Sequence, residues 1–277
     1  MLFYFLFIFQ LFYTISCSIS CYNAPSDKNT FYYMVTADEF PTELRNSSLI
    51  TNSYRCYIQV KWKRNPGSTE IALIADTTED PESPEHKLQV EFGYETEGSI
   101  SLWEEVIIYQ CYTDSCNSLS QLKRILSSLT IHDDLADLTN LLIPVRPFEG
   151  QWCFRFSNAT FQQCNITIPD ESCKHCQLFG QMEPTGAESC ATCLVEEVQR
   201  LGVGYEMTFN LAARTSFSNW LIICEQNNCN TPTIGDKIRQ KSYINLDYDK
   251  FFHNGIERLR INKLLFLFMI FLIRLFQ

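Results

Sequence analysis

The sequence predicts a mainly β, disulfide-rich protein made of two antiparallel modules joined by a short helical connector. Three observations predict it. An apolar run enters a Cys-x4-Cys-Asn signature twice, as VIIYQCYTDSCN over 106–117 and as WLIICEQNNCN over 220–230, so one stapled unit occurs in two copies. Apolar and polar residues alternate with period two in several stretches leading up to each signature, the pattern of half-buried strands. Apart from Cys17, the cysteines fall in two even-numbered sets, four from Cys21 to Cys116 and eight from Cys153 to Cys229, so each half can close its own bridges.

The chain opens on residues 1–20, uncharged and dominated by Phe, Leu and Ile, which end in small residues around Ser18 and Ser20. This reads as a cleaved signal peptide, although the usual basic start is missing. Its apolar run from Leu2 to Tyr13 is too short to span a membrane comfortably. At the other end Leu264 to Ile273 is wholly apolar before Arg274 interrupts. A spanning helix takes about 20 apolar residues, and a spanning tail would put Arg258, Arg260 and Lys263 on the lumenal flank, against the positive-inside tendency. Small Asn254 and Gly255, a polar spacer and a short apolar tail fit a glycosylphosphatidylinositol signal over 255–277, with lipid attachment at Asn254. A short membrane helix is the alternative.

Residues 255–277 hold four basic side chains and one acidic, so without them the totals of 22 basic and 32 acidic become 18 and 31, a net −13. Such a surface repels phosphate backbones and anionic headgroups, which excludes nucleic acid as a partner and suits a basic one.

The elements follow in order. The first module, 21–117, carries the sequon Asn46-Ser47-Ser48, an acceptor for N-linked sugar. Ile58, Val60 and Trp62 alternate with polar neighbours until the turn around Asn65-Pro66-Gly67. Ile71 to Ala75 is a second strand, residues 79–85 an acidic proline-bearing loop, and Leu88, Val90, Phe92 and Tyr94 a third alternating strand before Leu102 to Tyr109. The period then changes. Leu119, Leu122, Ile125, Leu126 and Leu129 share one helical face, and Leu135, Leu138, Leu141 and Leu142 resume it after Asp133 and Asp134, so 118–152 reads as a helical linker. The second module, 153–230, brings sequons at Asn158 and Asn165, the pairs Cys173/Cys176 and Cys190/Cys193, and an alternating strand through Tyr205, Met207, Phe209 and Leu211. Residues 231–254 are polar and read as a stalk.

Two Cys-x2-Cys pairs thirteen residues apart, with His175 beside them, are close to structural zinc spacing. A signal peptide and three sequons point instead to an oxidising lumen, where cysteines cross-link. The Cys-x4-Cys pairs Cys111–Cys116 and Cys224–Cys229 are expected to bridge locally. Each closes a short loop, contributing about 2 kcal/mol by the chain-entropy account. If the first-half cysteines pair among themselves, Cys21–Cys56 follows, a longer loop contributing about 4 kcal/mol. The six remaining second-half cysteines allow fifteen connectivities, and spacing does not choose among them.

The opening Ser20-Cys21-Tyr22, the strand hairpins and the closing apolar strand into Cys-x4-Cys-Asn resemble the three-finger family of lymphocyte antigen six and the urokinase receptor, over 21–117 and less closely over 153–230. The adjacent Cys-Cys doublet of that family is absent from both modules, and the first lacks most of its other bridges. The resemblance implies local pairing of the last two cysteines of each module. It also implies that Asn117 and Asn230 bond back into the disulfide hub, and that specificity sits on fingertip loops, here 63–70 and 79–87.

No hydrolase elbow, metal-binding His pair, phosphate loop or dinucleotide fingerprint occurs, and His86, His132, His175 and His253 are scattered. No cofactor is expected. The function these observations support is non-enzymatic binding of an extracellular protein ligand at the cell surface, with the C-terminus holding the chain to the membrane. The alternative is a soluble secreted modulator of receptors or channels.

Overall fold

A computed structural model describes residues 18–65, 67–78, 85–97, 100–142, 148, 153–159, 173–183, 186–196, 198 and 200–253. The strands are β1 (Ile19–Asn23), β2 (Thr30–Phe31), β3 (Ser48–Ser53), β4 (Arg55–Lys63), β5 (Ser68–Asp76), β6 (Lys87–Glu97) and β7 (Ile100–Cys111). Helix α1 (Leu119–Ser128) and β8 (Leu129–Asp133) follow, then a 3-10 helix, Leu135–Leu141. The second half adds β9 (Phe156–Ser157), β10 (His175–Glu183), β11 (Gly186–Leu194), β12 (Leu201–Asn210) and β13 (Thr215–Cys224), closed by α2 (Pro232–Lys241), β14 (Ser242–Leu246) and α3 (Tyr248–His253). Among the described residues no helix is long and apolar enough to cross a membrane.

Ten strands form one antiparallel sheet in the order β2-β5-β4-β7-β6-β12-β13-β10-β11-β9. The alternation read from the sequence sets its two faces. Ile58, Val60 and Trp62 of β4, Leu88, Val90 and Phe92 of β6, and Val203, Tyr205 and Phe209 of β12 are buried on one side. The intervening Lys61, Glu91 and Glu206 point to the other.

The two halves join edge to edge. β6 pairs with β12 from Lys87↔Asn210 to Thr96↔Leu201, with Glu91 opposite Glu206. Each glutamate lies opposite the residue five before its module's Cys-x4-Cys signature, Val106 for Glu91 and Asn219 for Glu206. A local two-fold axis therefore passes between them. It passes also between Ile131 and Ile244, which face each other where β8 pairs with β14 and which each follow the signature asparagine by fourteen residues. The segment after each signature crosses to the other module: α1 packs against α3, and α2 against the 3-10 helix. Together they cover the apolar face of the sheet, burying Leu122, Ile125, Ile234, Ile238 and Phe251.

Two expectations change here. Among the described residues of 118–152, only Leu119–Ser128 is α-helical, capped by the Ser118 hydroxyl accepting from the Gln121 N–H at 3.3 Å. Leu129 then turns extended and begins a strand, so the leucine spacing covers a helix, a strand and a 3-10 helix in succession. The region expected as a stalk instead folds, with Pro232 opening α2 at its first turn, and Ile244 and Leu246 of β14 buried.

Core volumes are exchanged between the modules. Val60, Ile107 and Leu122 in the first correspond to Gly180, Trp220 and Gly235 in the second. A single indole occupies space that aliphatic side chains on facing elements fill in the other copy. Methyl groups at Gly180 and Gly235 would fall 2.1 and 2.8 Å from the Trp220 ring.

Candidate functional site

Each module is tied by the same hub. Cys21–Cys56 and Cys111–Cys116 are disulfides in the first, Cys153–Cys176 and Cys224–Cys229 in the second. Asn117 is fully buried: its Oδ1 accepts from the Tyr22 N–H at 2.9 Å, and its Nδ2 donates to the carbonyls of Tyr22, Tyr57 and Ile74 at 2.7, 3.1 and 3.3 Å. Asn230 repeats the set on Phe154, Gln177 and Thr192, accepting at 2.8 Å and donating at 2.9, 3.1 and 3.1 Å. One amide thus satisfies backbone groups on three separate segments.

The zinc alternative loses its ligands. Cys173 is bonded to Cys193 and Cys176 to Cys153, while Cys190 is disulfide-bonded to a partner outside the described residues. None is a thiolate free to hold a metal. His175 is buried; its Nε2 accepts the Val198 N–H at 3.2 Å and its Nδ1 lies 3.1 Å from Glu225. Its place is structural, fastening the chain beyond β11. His86, just before β6, packs on Tyr112, and His132, on β8 of the separate β8–β14 pair, stacks on Tyr243.

Asn46 is exposed, with a φ of 54° that asparagine tolerates. Asn158 is exposed beside β11, just after the edge strand β9, accepting the Ser189 N–H at 2.7 Å and donating to the Ala187 carbonyl at 3.3 Å. Asn165, Asn254, the tail 255–277 and most of the signal segment lie outside the described residues. Of the expected fingertip loops, 63–70 carries ion pairs from Lys63 to Glu70 and from Arg64 to Glu105, and 79–84 lies outside the description.

Among the described residues, a feature available to a partner is the open face of the sheet near the two-fold axis, which sequence reasoning did not single out. Gly93 faces Gly204 across β6 and β12, one residue pair along the face from Glu91 and Glu206. Gly202 lies beyond, opposite Glu95. The missing side chains leave a cleft of about 260 Å³, walled on the β13 side by Leu221 and Ile223 with Phe179 behind. A second cleft of about 210 Å³ shares Glu91, Gly93 and Glu95 and is walled by Leu102, Glu104 and Val106. The signal available in the sequence was three glycines inside two otherwise regular strands.

Charge at this face is unbalanced. Glu95 pairs with Arg200 at 2.9 Å and Glu104 with Lys61 at 2.6 Å. Glu91 and Glu206 enter no ion pair among the described residues. Partial burial, then the charges of Glu206, Glu95 and Glu104, push the Glu91 carboxyl above its ordinary range, with Lys61 opposing.

On the covered side a second acidic group is spoken for. Arg64 lies over the Trp103 ring, bonds Glu105 at 2.7 Å and reaches Asp133 at 3.3 Å. Burial pushes Asp133 up to about 6, against the Leu135 N–H and Arg64, which lower it, and with Glu105, which raises it. Comparison with protein-family models, with curated proteins and with solved structures finds no match to this chain.

Proposed function

We propose that this protein is a non-enzymatic binding protein of the cell exterior, built from two three-finger-like modules and held to the outer leaflet by a lipid at its C-terminus. The observation that carries the reading is the doubled hub of disulfides and buried asparagine, Asn117 and Asn230. Cross-links of this number belong to oxidising compartments. The continuous sheet they support offers a wide, rigid face, and rigidity lowers the ordering cost of binding a protein partner. The acidic surface favours a partner of opposite charge.

Expression of the full chain in cultured animal cells tests this. The expected result is surface staining of intact cells, a mobility shift with peptide N-glycosidase, and release by phosphatidylinositol-specific phospholipase C. Protein found in the medium without the phospholipase would favour the soluble modulator. Protein retained in the cytosol with alkylatable thiols would overturn the reading.

A further inference from the structure

The paired glycines of the open face have no explanation in the fold itself. Neither Gly93 nor Gly204 has a positive φ. A methyl group at Gly93 would approach the Val203 carbonyl to 3.4 Å and one at Gly204 the Phe92 carbonyl to 3.6 Å, both ordinary contacts. Glycine inside a strand sacrifices backbone entropy and side-chain packing, and where nothing local requires it, it marks a place where another group comes close. The bare patch lies beside Glu91 and Glu206, which enter no ion pair among the described residues although Lys61 acts on Glu91 from a distance; Arg200, paired with Glu95, lines its other end, and apolar side chains flank it on both modules.

We propose that this trough seats a lysine or arginine side chain presented by a partner protein, with its aliphatic stem on Leu221 and Ile223 and its cationic head between Glu91 and Glu206. The inference rests on the binding-protein reading above and names the partner's chemistry. A long side chain with an apolar stem and a charged tip matches a cleft that is apolar on one wall and acidic at one end. A metal ion fits less well: the carboxylates are spread along two strands, and among the described residues the only trio of metal-ligating types whose ligand atoms come within 4.8 Å of one another is Cys56, Cys111 and Cys116, which are oxidised. The incoming cation would relieve the repulsion that the facing glutamates sustain when the site is empty.

The probe is a fluorescent twelve-residue peptide with one central arginine flanked by leucines, titrated at low salt into the full chain purified from the cells that express it. Its control carries citrulline, the neutral analogue, in place of arginine. The expected result is saturable binding at least tenfold weaker for the citrulline peptide and for the Glu91→Gln/Glu206→Gln double variant. Gly204→Val, which fills the trough, should lose binding to a similar degree, while Glu43→Gln on a remote exposed loop should not. Circular dichroism and the disulfide map establish that each variant is folded, and the conservative glutamine pair keeps the test decisive if the valine perturbs the strand. Equal binding of the citrulline peptide, equal binding by the glutamine pair, or no saturable binding by the unaltered protein would each overturn the proposal. Surface display and phospholipase release are scored separately, so a displayed protein with an indifferent trough loses this inference alone.

Discussion

Trp220 stands directly across from Gly180 in neighbouring strands, its indole lying over the bare backbone where the first module packs Val60. Substituting Gly180→Ala forces the buried ring to move and should cost about 3 kcal/mol, as overpacked cores do. Installing the first module's own trio, Gly180→Val with Trp220→Ile and Gly235→Leu, should recover most of that loss because the ring that a side chain at either glycine would strike is gone. Denaturant unfolding with the disulfides intact checks both, and a trio no more stable than Gly180→Val alone would refute the volume exchange.

The hub asparagines make a second prediction. Asn117→Ala leaves the Tyr22 N–H and the Tyr57 and Ile74 carbonyls without their buried partner, costing about 3 kcal/mol. Asn117→Asp should be worse, since a carboxylate would face three carbonyl oxygens and cannot donate to them. The same order is expected at Asn230. Hydrogen exchange at Tyr22 and Phe154 reports the loss locally, before global unfolding does.

These hubs were legible because the duplication is written in cysteines and a following asparagine, and the central strands because Ile58, Val60 and Trp62 or Leu88, Val90 and Phe92 alternate strictly. The junction between modules was not. Edge pairing of β6 with β12 depends on which strand ends a sheet, which local alternation does not encode. Leu129 continued the helical spacing of α1 while beginning a strand, since a short apolar run satisfies both periods. Polar 231–254 hid a folded segment because α2 buries only Ile234, Gly235 and Ile238.

Stability should depend on pH through Asp133. Its folded pKa, about 6, lies above the ordinary carboxylate value, so the folded state holds its proton more tightly than the unfolded one. The contribution favours folding below the unfolded pKa and is lost as pH rises through about 6. Asp133→Asn should therefore stabilise the protein at pH 7.5, by on the order of 2 kcal/mol, with the gain vanishing near pH 4. Its amide oxygen can still accept from the Leu135 N–H, and Arg64 keeps Glu105. Unfolding curves at the two pH values decide; an equal effect at both would place the cause elsewhere.

The central glutamates follow the same sign by a different route. Glu91 is raised by partial burial and by its acidic neighbours, so ionisation of this face weakens the empty fold as pH rises through the folded pKa. Glu91→Gln removes a like-charge pair directly across two strands and should raise stability by about 0.5 kcal/mol at neutral pH. Gly204→Val adds a β-branched side chain whose Cβ meets only an ordinary contact and should raise it by about a further 1 kcal/mol. Thermal unfolding of the single variants and the pair measures both. Natural residues that lower stability at two adjacent positions, on one exposed face and on one axis, are what a binding surface requires and a purely structural sheet does not; a loss of stability in Gly204→Val would instead mean that the strand itself needs the glycine.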